Sequence, residues 1–124
     1  MADTLKFLEA DPDGMTTYDY IVNNVDTCID RMDELVDSLL HADKSGQFLA
    51  SSARFLNAVD SVSFHRHIGR LVMGAIDRDR ERRYIGSLLE ALWGEGYRDR
   101  AAELAAADDN FRRIYKRIYP DTAM

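Results

Sequence analysis

The chain is poor in residues that usually signal chemistry or interrupt structure: it has one cysteine, one tryptophan and two prolines in 124 residues. Pro12 and Pro120 lie near the ends, so no proline breaks a helix between them. Cys28 has no second cysteine, which excludes an internal disulfide and makes a reducing cytoplasm the expected setting. No apolar run approaches the roughly 18 residues a membrane span requires, so no membrane association is expected. The opening "MADTLKFLEADPDG" has neither a basic leading region nor a long apolar stretch and is not expected to be a secretory signal. Strict apolar–polar alternation does not persist anywhere, and the one Asp-Gly pair, at 13–14, sits in the turn "ADPDGM".

The short motifs that announce catalysis are also missing. There is no glycine-rich phosphate loop, since "GEG" within "WGEGY" reads as a helix stop, and there is no Walker lysine or metal-spaced cysteine pair. No nucleophile–base pair can be assembled, so neither catalysis nor a cofactor is expected. No internal repeat is apparent, and the only biased segment is "AAELAAA" at 101–107.

What is present describes a folded helical protein. The length fits one domain over 1–124, and 46% hydrophobic with 31% charged residues is a globular composition. The net charge of −6 is unevenly spread: residues 1–60 carry −8 and residues 61–124 carry +2. An acidic total argues against bulk nucleic-acid affinity but leaves room for a local basic patch.

Apolar residues recur at Tyr18, Ile21, Val25, Cys28, Met32, Leu35 and Leu39, and Thr16 with Asp19 has the spacing of a capping box. That period predicts one long helix within 16–45, about 26 residues and about 39 Å, with Gly46 as the glycine just beyond its end. Over 47–93 helical spacing appears in three runs, around Phe48–Val62, Ile68–Ile76 and Tyr84–Leu92. Asp60, Ser61 and Ser63 leave open whether these are one, two or three helices. A last helix is expected over 97–119, with Asp108 in its stripe marking a kink near 107–109. Leu5, Phe7 and Leu8 suggest a short helix in 1–14 that packs on the ends of the others. The expected architecture is an all-α bundle of about four main helices plus this short N-terminal one.

Candidate sites follow from spacing. In "SFHRHIGR", 63–70, a helix places His65 and His67 about 200° apart, so they cannot chelate one ion. His65 then shares a face with Val62, Gly69 and Val72, and His67 shares one with Phe64 and Leu71. Asp26, Asp30, Asp33 and Asp37 form an acidic stripe beside the apolar one, with His41 four residues beyond Asp37. Bundles that hold metal pairs use Glu-x-x-His, which is absent, so a solvated or salt-bridged acidic face is expected. "DRDRERRY", 77–84, reads as an exposed helix whose arginines pair with its own acids. "FRRIYKRIYP", 111–120, puts Arg112, Arg113, Lys116 and Arg117 on one side with no acid among them. Trp93 and Tyr97 read as an aromatic cap rather than a ligand pocket, and Cys28 as a small buried hydrophobe.

The leading reading is a small non-catalytic interaction or regulatory module, self-associating as a homodimer or bound to another protein. Asp26, Asp30, Asp33, Asp37, Arg112, Arg113, Lys116 and Arg117 are its candidate contact residues. Two alternatives use the same residues: nucleic-acid binding through the basic C-terminal helix, and a DNA-mimicking inhibitor built on the acidic stripe. A metal-dependent enzyme drawing on Asp37, His41 and His65 or His67 is least favoured. If the first and last long helices pack side by side, in one chain or across a dimer, the acidic and basic stripes should meet at the edge of the contact.

Overall fold

A computed structural model describes residues 2–121, and the side chains of 6–121. Among the described residues the chain is all-helical, without a strand. After a 3-10 helix at Ala2–Ala10 come α1 (Met15–Asn24), a 3-10 turn at Ile29–Arg31 and α2 (Met32–Ala42). Then follow α3 (Gln47–Asp60), α4 (His65–Arg78) and α5 (Gly86–Trp93). A 3-10 turn at Tyr97–Arg100, α6 (Ala101–Ala107) and α7 (Asp109–Ile118) complete the order.

The expected long helix is two helices. It breaks at 25–31, where polar side chains offer the backbone local partners. Asn23 and Asn24 donate to the Asp19 and Tyr20 carbonyls, while the amides of Thr27 and Cys28 both turn to the Asn24 carbonyl. Such local bonding competes with helix propagation. The apolar stripe still faces inward on both sides of the break: Ile21, Met32, Leu35, Val36 and Leu39 are fully buried. Each such side chain contributes roughly 1.5–3 kcal/mol. The first helix starts at Met15, not at a threonine cap, and Gly46 precedes α3 instead of closing α2. Leu8 is buried at the N-terminal end and Phe7 exposed, whereas the side chain of Leu5 lies outside the described residues.

The segment 47–93 holds three helices. Asp60 accepts from the Ser63 amide, ending α3, and Phe64 is buried in the turn before α4. The kink expected near 107–109 is a full break. Asp108 has an extended backbone, and its carboxylate accepts from the amides of Asn110 and Phe111, capping α7.

A recurrent unit organises the stack. Helices α1 and α2, α3 and α4, and α5 and α7 pack as pairs; α1 packs on α3 and α3 on α5, while α2 packs on α4 and α4 on α7. The result is three stacked helical hairpins, with α6 inserted in the connection of the third. Each hairpin is preceded by a loop anchored on a buried aspartate: Asp11, Asp43 and Asp79. Asp11 accepts from the amides of Gly14 and Thr17 and from the Thr17 hydroxyl at 2.7 Å. Asp43 accepts from the amides of Ser45, Gly46, Phe48 and Leu49, all within 3.0 Å. Asp79 accepts from those of Arg83, Tyr84 and Ile85. Each carboxylate thereby supplies acceptors to the orphan amides at a helix start, where the helix dipole also favours negative charge.

The loops stack on one another. A Cβ on Gly14 would lie 3.2 Å from Cβ of Asp43, and one on Gly46 would lie 3.2 Å from Cβ of Asp79. Both glycines have positive φ, 101° and 89°, so they satisfy a left-handed turn and a close loop-to-loop approach together. In the third loop the same left-handed position, three residues after the aspartate, is Arg82 with φ 60°. The stretch 77–84 is therefore not the exposed helix expected from its charges, although Arg83 does pair with Glu81 within it. The expectation of no internal repeat is likewise corrected: "ADPDG" at 10–14 and "ADKSG" at 42–46 occupy equivalent loops. Spacings of this order, 20–50 residues, are typical of stacked supersecondary repeats.

Candidate functional site

The charged stripes serve mainly to join neighbouring helices. Asp33 on α2 receives Arg66 at 2.8 Å, His67 at 3.2 Å and Arg70 at 3.4 Å, all from α4, and Arg70 also reaches Asp37. Hydrogen bonding from Arg66 holds the Asp33 carboxyl below its ordinary value. Asp26 and Asp30 are exposed, Asp26 in the turn after α1 and Asp30 in the 3-10 turn before α2. On α7, Arg112 pairs with Asp109, Arg113 reaches Asp77 of α4 at 3.0 Å, and Arg117 donates to the Ile76 carbonyl at 2.6 Å, while Lys116 is exposed. The structure thus pairs each stripe with α4 or with its own helix, and the two stripes do not meet.

The histidines separate as helical geometry requires. His67 packs edge-on against Phe64, with ring centroids 6.0 Å apart, and its Nδ1 is buried without a hydrogen bond. Burial lowers its pKa, opposed by Asp33. His41 is exposed at the end of α2. Asp37, His41, His65 and His67 do not converge, and no cluster of three or more His, Cys, Asp or Glu suited to a metal occurs among the described residues. Cys28 is buried, and burial pushes its thiol pKa up, away from the reactive thiolate.

The feature that sequence reasoning missed is a cavity of about 560 Å³ at the connection end of the stack, between the second and third hairpins. That volume lies within the range of roughly 300–1,000 Å³ found for ligand sites. Ile68 and Val72 of α4 and Leu92 and Trp93 of α5 give it apolar walls. His65 and Gly69 of α4 line it with Asn57 of α3 and with Asp108 and Asn110 at the start of α7. Val62, in the turn after α3, lines it while 84% exposed, an apolar lip with no cover of its own.

The polar groups of this groove are held by helices on both sides. The Asn57 amide donates to the Ala91 carbonyl at 3.1 Å, and the Asn110 amide to the Gly69 carbonyl at 3.3 Å. These two bonds tie α3 to α5 and α7 to α4 across the gap. Trp93 contacts Phe111 edge-on at 5.2 Å, so the indole is fixed from behind. Tyr97 joins the same aromatic cluster without lining the cavity: it packs on Phe111 and Tyr115, and its hydroxyl lies 2.8 Å from that of Tyr119. Burial and that second hydroxyl push the Tyr97 pKa up to about 12. No family model, curated protein or solved structure matches this chain.

Two glycines of α4 mark what the groove demands. A Cβ on Gly74 would lie 2.5 Å from Leu40 Cδ2, so close packing of α2 on α4 accounts for that glycine. A Cβ on Gly69 would meet nothing within 4 Å. Gly69 has no packing reason to be glycine, and its place is the groove wall.

Proposed function

We infer that this chain is a non-catalytic interaction module that receives a segment of a partner protein in the groove between its second and third hairpins. The observation that carries the reading is Gly69. A helix-interior glycine costs about 0.5–1 kcal/mol against alanine. Nothing in the fold returns that cost, whereas an open groove wall lets an occupant approach the α4 backbone closely. The apolar lip at Val62 and a binding face carried largely on helices support the same reading.

The alternatives draw less support. Arg112, Arg113 and Arg117 are already engaged by protein acceptors, which weakens a phosphate-binding role. Asp33 and Asp37 are neutralised by Arg66 and Arg70, which weakens a phosphate-mimicking one. Self-association draws less support too, because the break at 25–31 lets the chain bury the apolar stripe of Ile21, Met32, Leu35 and Leu39 within itself.

Peptide-display selection against the wild-type chain, counter-selected with Gly69→Leu, tests the reading. The open space beyond Gly69 lets leucine enter without disturbing the fold, so peptides enriched on the wild type are expected to be lost on the variant. Enrichment indifferent to the substitution, or no enrichment, refutes it.

A further inference from the structure

Resting on the groove as the binding site, we propose that its occupant is anchored by a cationic side chain, lysine or arginine, next to an aliphatic or aromatic one. The described residues lining the groove include neither lysine nor arginine, in a chain that has 16 of them. Nearby guanidiniums are held elsewhere: Arg66 and Arg70 by Asp33 and Asp37, and Arg112 by Asp109. Arg100 donates to the Trp93 carbonyl at 2.9 Å without lining the cavity.

The carboxylate among the lining residues is Asp108. Its Oδ1 accepts from the amides of Asn110 and Phe111 at 2.9 and 3.3 Å, while Oδ2 takes no hydrogen bond from the described residues. The two amides an anion would seek at the start of α7 are therefore already occupied. Asn57 and Asn110 each commit an amide nitrogen to a helix carbonyl, and their side-chain oxygens remain acceptors. An occupant that brings N–H donors satisfies these groups, and one that brings a carboxylate meets Asp108 with no lysine or arginine of the described lining to offset it. Trp93 adds an aromatic surface to the same groove, which suits a cation and the apolar stem that carries it. Ile68, Val72 and Leu92 provide the contact for the neighbouring apolar side chain.

Trp93 is the only tryptophan, so its emission reports occupancy of this groove. The test titrates the full chain with three capped pentapeptides, Ala-Leu-X-Leu-Ala, in which X is arginine, its neutral isostere citrulline, or glutamate. The arginine peptide is expected to shift Trp93 emission with an affinity at least about tenfold above the citrulline peptide, as charge-assisted bonds are roughly twice as strong as neutral ones. Asp108→Asn should abolish that preference while α7 stays formed by circular dichroism, since asparagine caps a helix as well as aspartate does. Gly69→Leu should abolish binding of all three.

Equal binding of the arginine and citrulline peptides, or tighter binding of the glutamate peptide, overturns the cationic anchor and leaves the groove reading in place. The same holds if display selection returns groove-dependent peptides without lysine or arginine. If none of the three peptides binds and selection also fails, both the anchor and the groove reading fall.

Discussion

Replacing Gly69 and Gly74 in turn by alanine compares open space with tight packing inside one helix. Both positions lie within α4 (His65–Arg78), so the gain in helix propensity, about 0.5–1 kcal/mol, is the same for each. Their surroundings differ. At Gly69 the new methyl group enters space with no atom within 4 Å. At Gly74 it lies 2.5 Å from Leu40 Cδ2 and 3.2 Å from Leu49 Cδ1, and Leu49 is fully buried. Arg78 hinders relaxation there, because it donates to the Gly74 and Leu40 carbonyls at 3.0 and 2.8 Å and locks α4 to α2. Overpacking of this kind costs about 1–3 kcal/mol. Gly69→Ala should therefore gain about 0.5–1 kcal/mol and raise Tm by about 2–4 °C. Because the propensity gain cancels, Gly74→Ala should lie about 1–3 kcal/mol below it. Urea denaturation of the three proteins measures both differences. A loss of stability in Gly69→Ala, or equal stability of the two variants, would falsify the packing comparison and remove the ground for reading Gly69 as functional.

Three further outcomes follow from the loops and from α4. Asp43→Ala strands four backbone amides and should cost about 3 kcal/mol or more in chemical denaturation, whereas Asp37→Ala, at an exposed ion pair, should cost no more than about 1 kcal/mol. His67 has its pKa depressed below the ordinary 6.5, so the unfolded chain takes up that proton first. Stability should be level above that value and fall as pH drops through it, and His67→Leu should flatten this part of a urea–pH profile; an unchanged slope refutes the assignment. Arg82→Gly should relieve a left-handed backbone costing roughly 1–2 kcal/mol, less the bond from Arg82 to the Arg117 carbonyl, and Arg82→Val should destabilise; thermal melts of both variants decide it.

Periodicity made the helical class and the core legible, because burial is a property of spacing. Ile21, Met32, Leu35, Leu39, Leu56, Leu71, Leu88 and Phe111 all lie where an apolar stripe placed them, and all are fully buried. Helix ends were legible only in part, since a stripe continues through a break when both halves pack on one core. Asn24 and Thr27 held the signal for the first break, as residues whose side chains compete for backbone partners. The aspartate loops were harder to see. Two of them share Asp-x-x-Gly, but Arg82 fills the glycine position in the third, and Asp79 among arginines looks like an ion-pair partner until its oxygens are found on backbone amides. The groove was not legible, because Asn57, Gly69, Trp93 and Asp108 belong to four different helical segments. The one available hint was His65 on a common face with Val62, Gly69 and Val72, which line the groove together.

The position of the groove follows from an irregularity in a regular stack. At the loop end, each aspartate loop seats against the next, glycine to aspartate. At the opposite end the hairpins are joined by unequal segments: 25–31 in the first, 61–64 in the second, and 94–108, carrying α6, in the third. A short connection facing a long one cannot be covered by it uniformly, and the space between them opens along α4. Most of its walls are the sides of helices already held by the core, and the turn at 61–62 and Asp108 complete its lining. Stability and recognition are thereby divided between the two ends. Substitutions at Val62 or Gly69 alter the groove while touching few core atoms, whereas changes at Asp43 or Gly46 strike the seams that hold the hairpins in register.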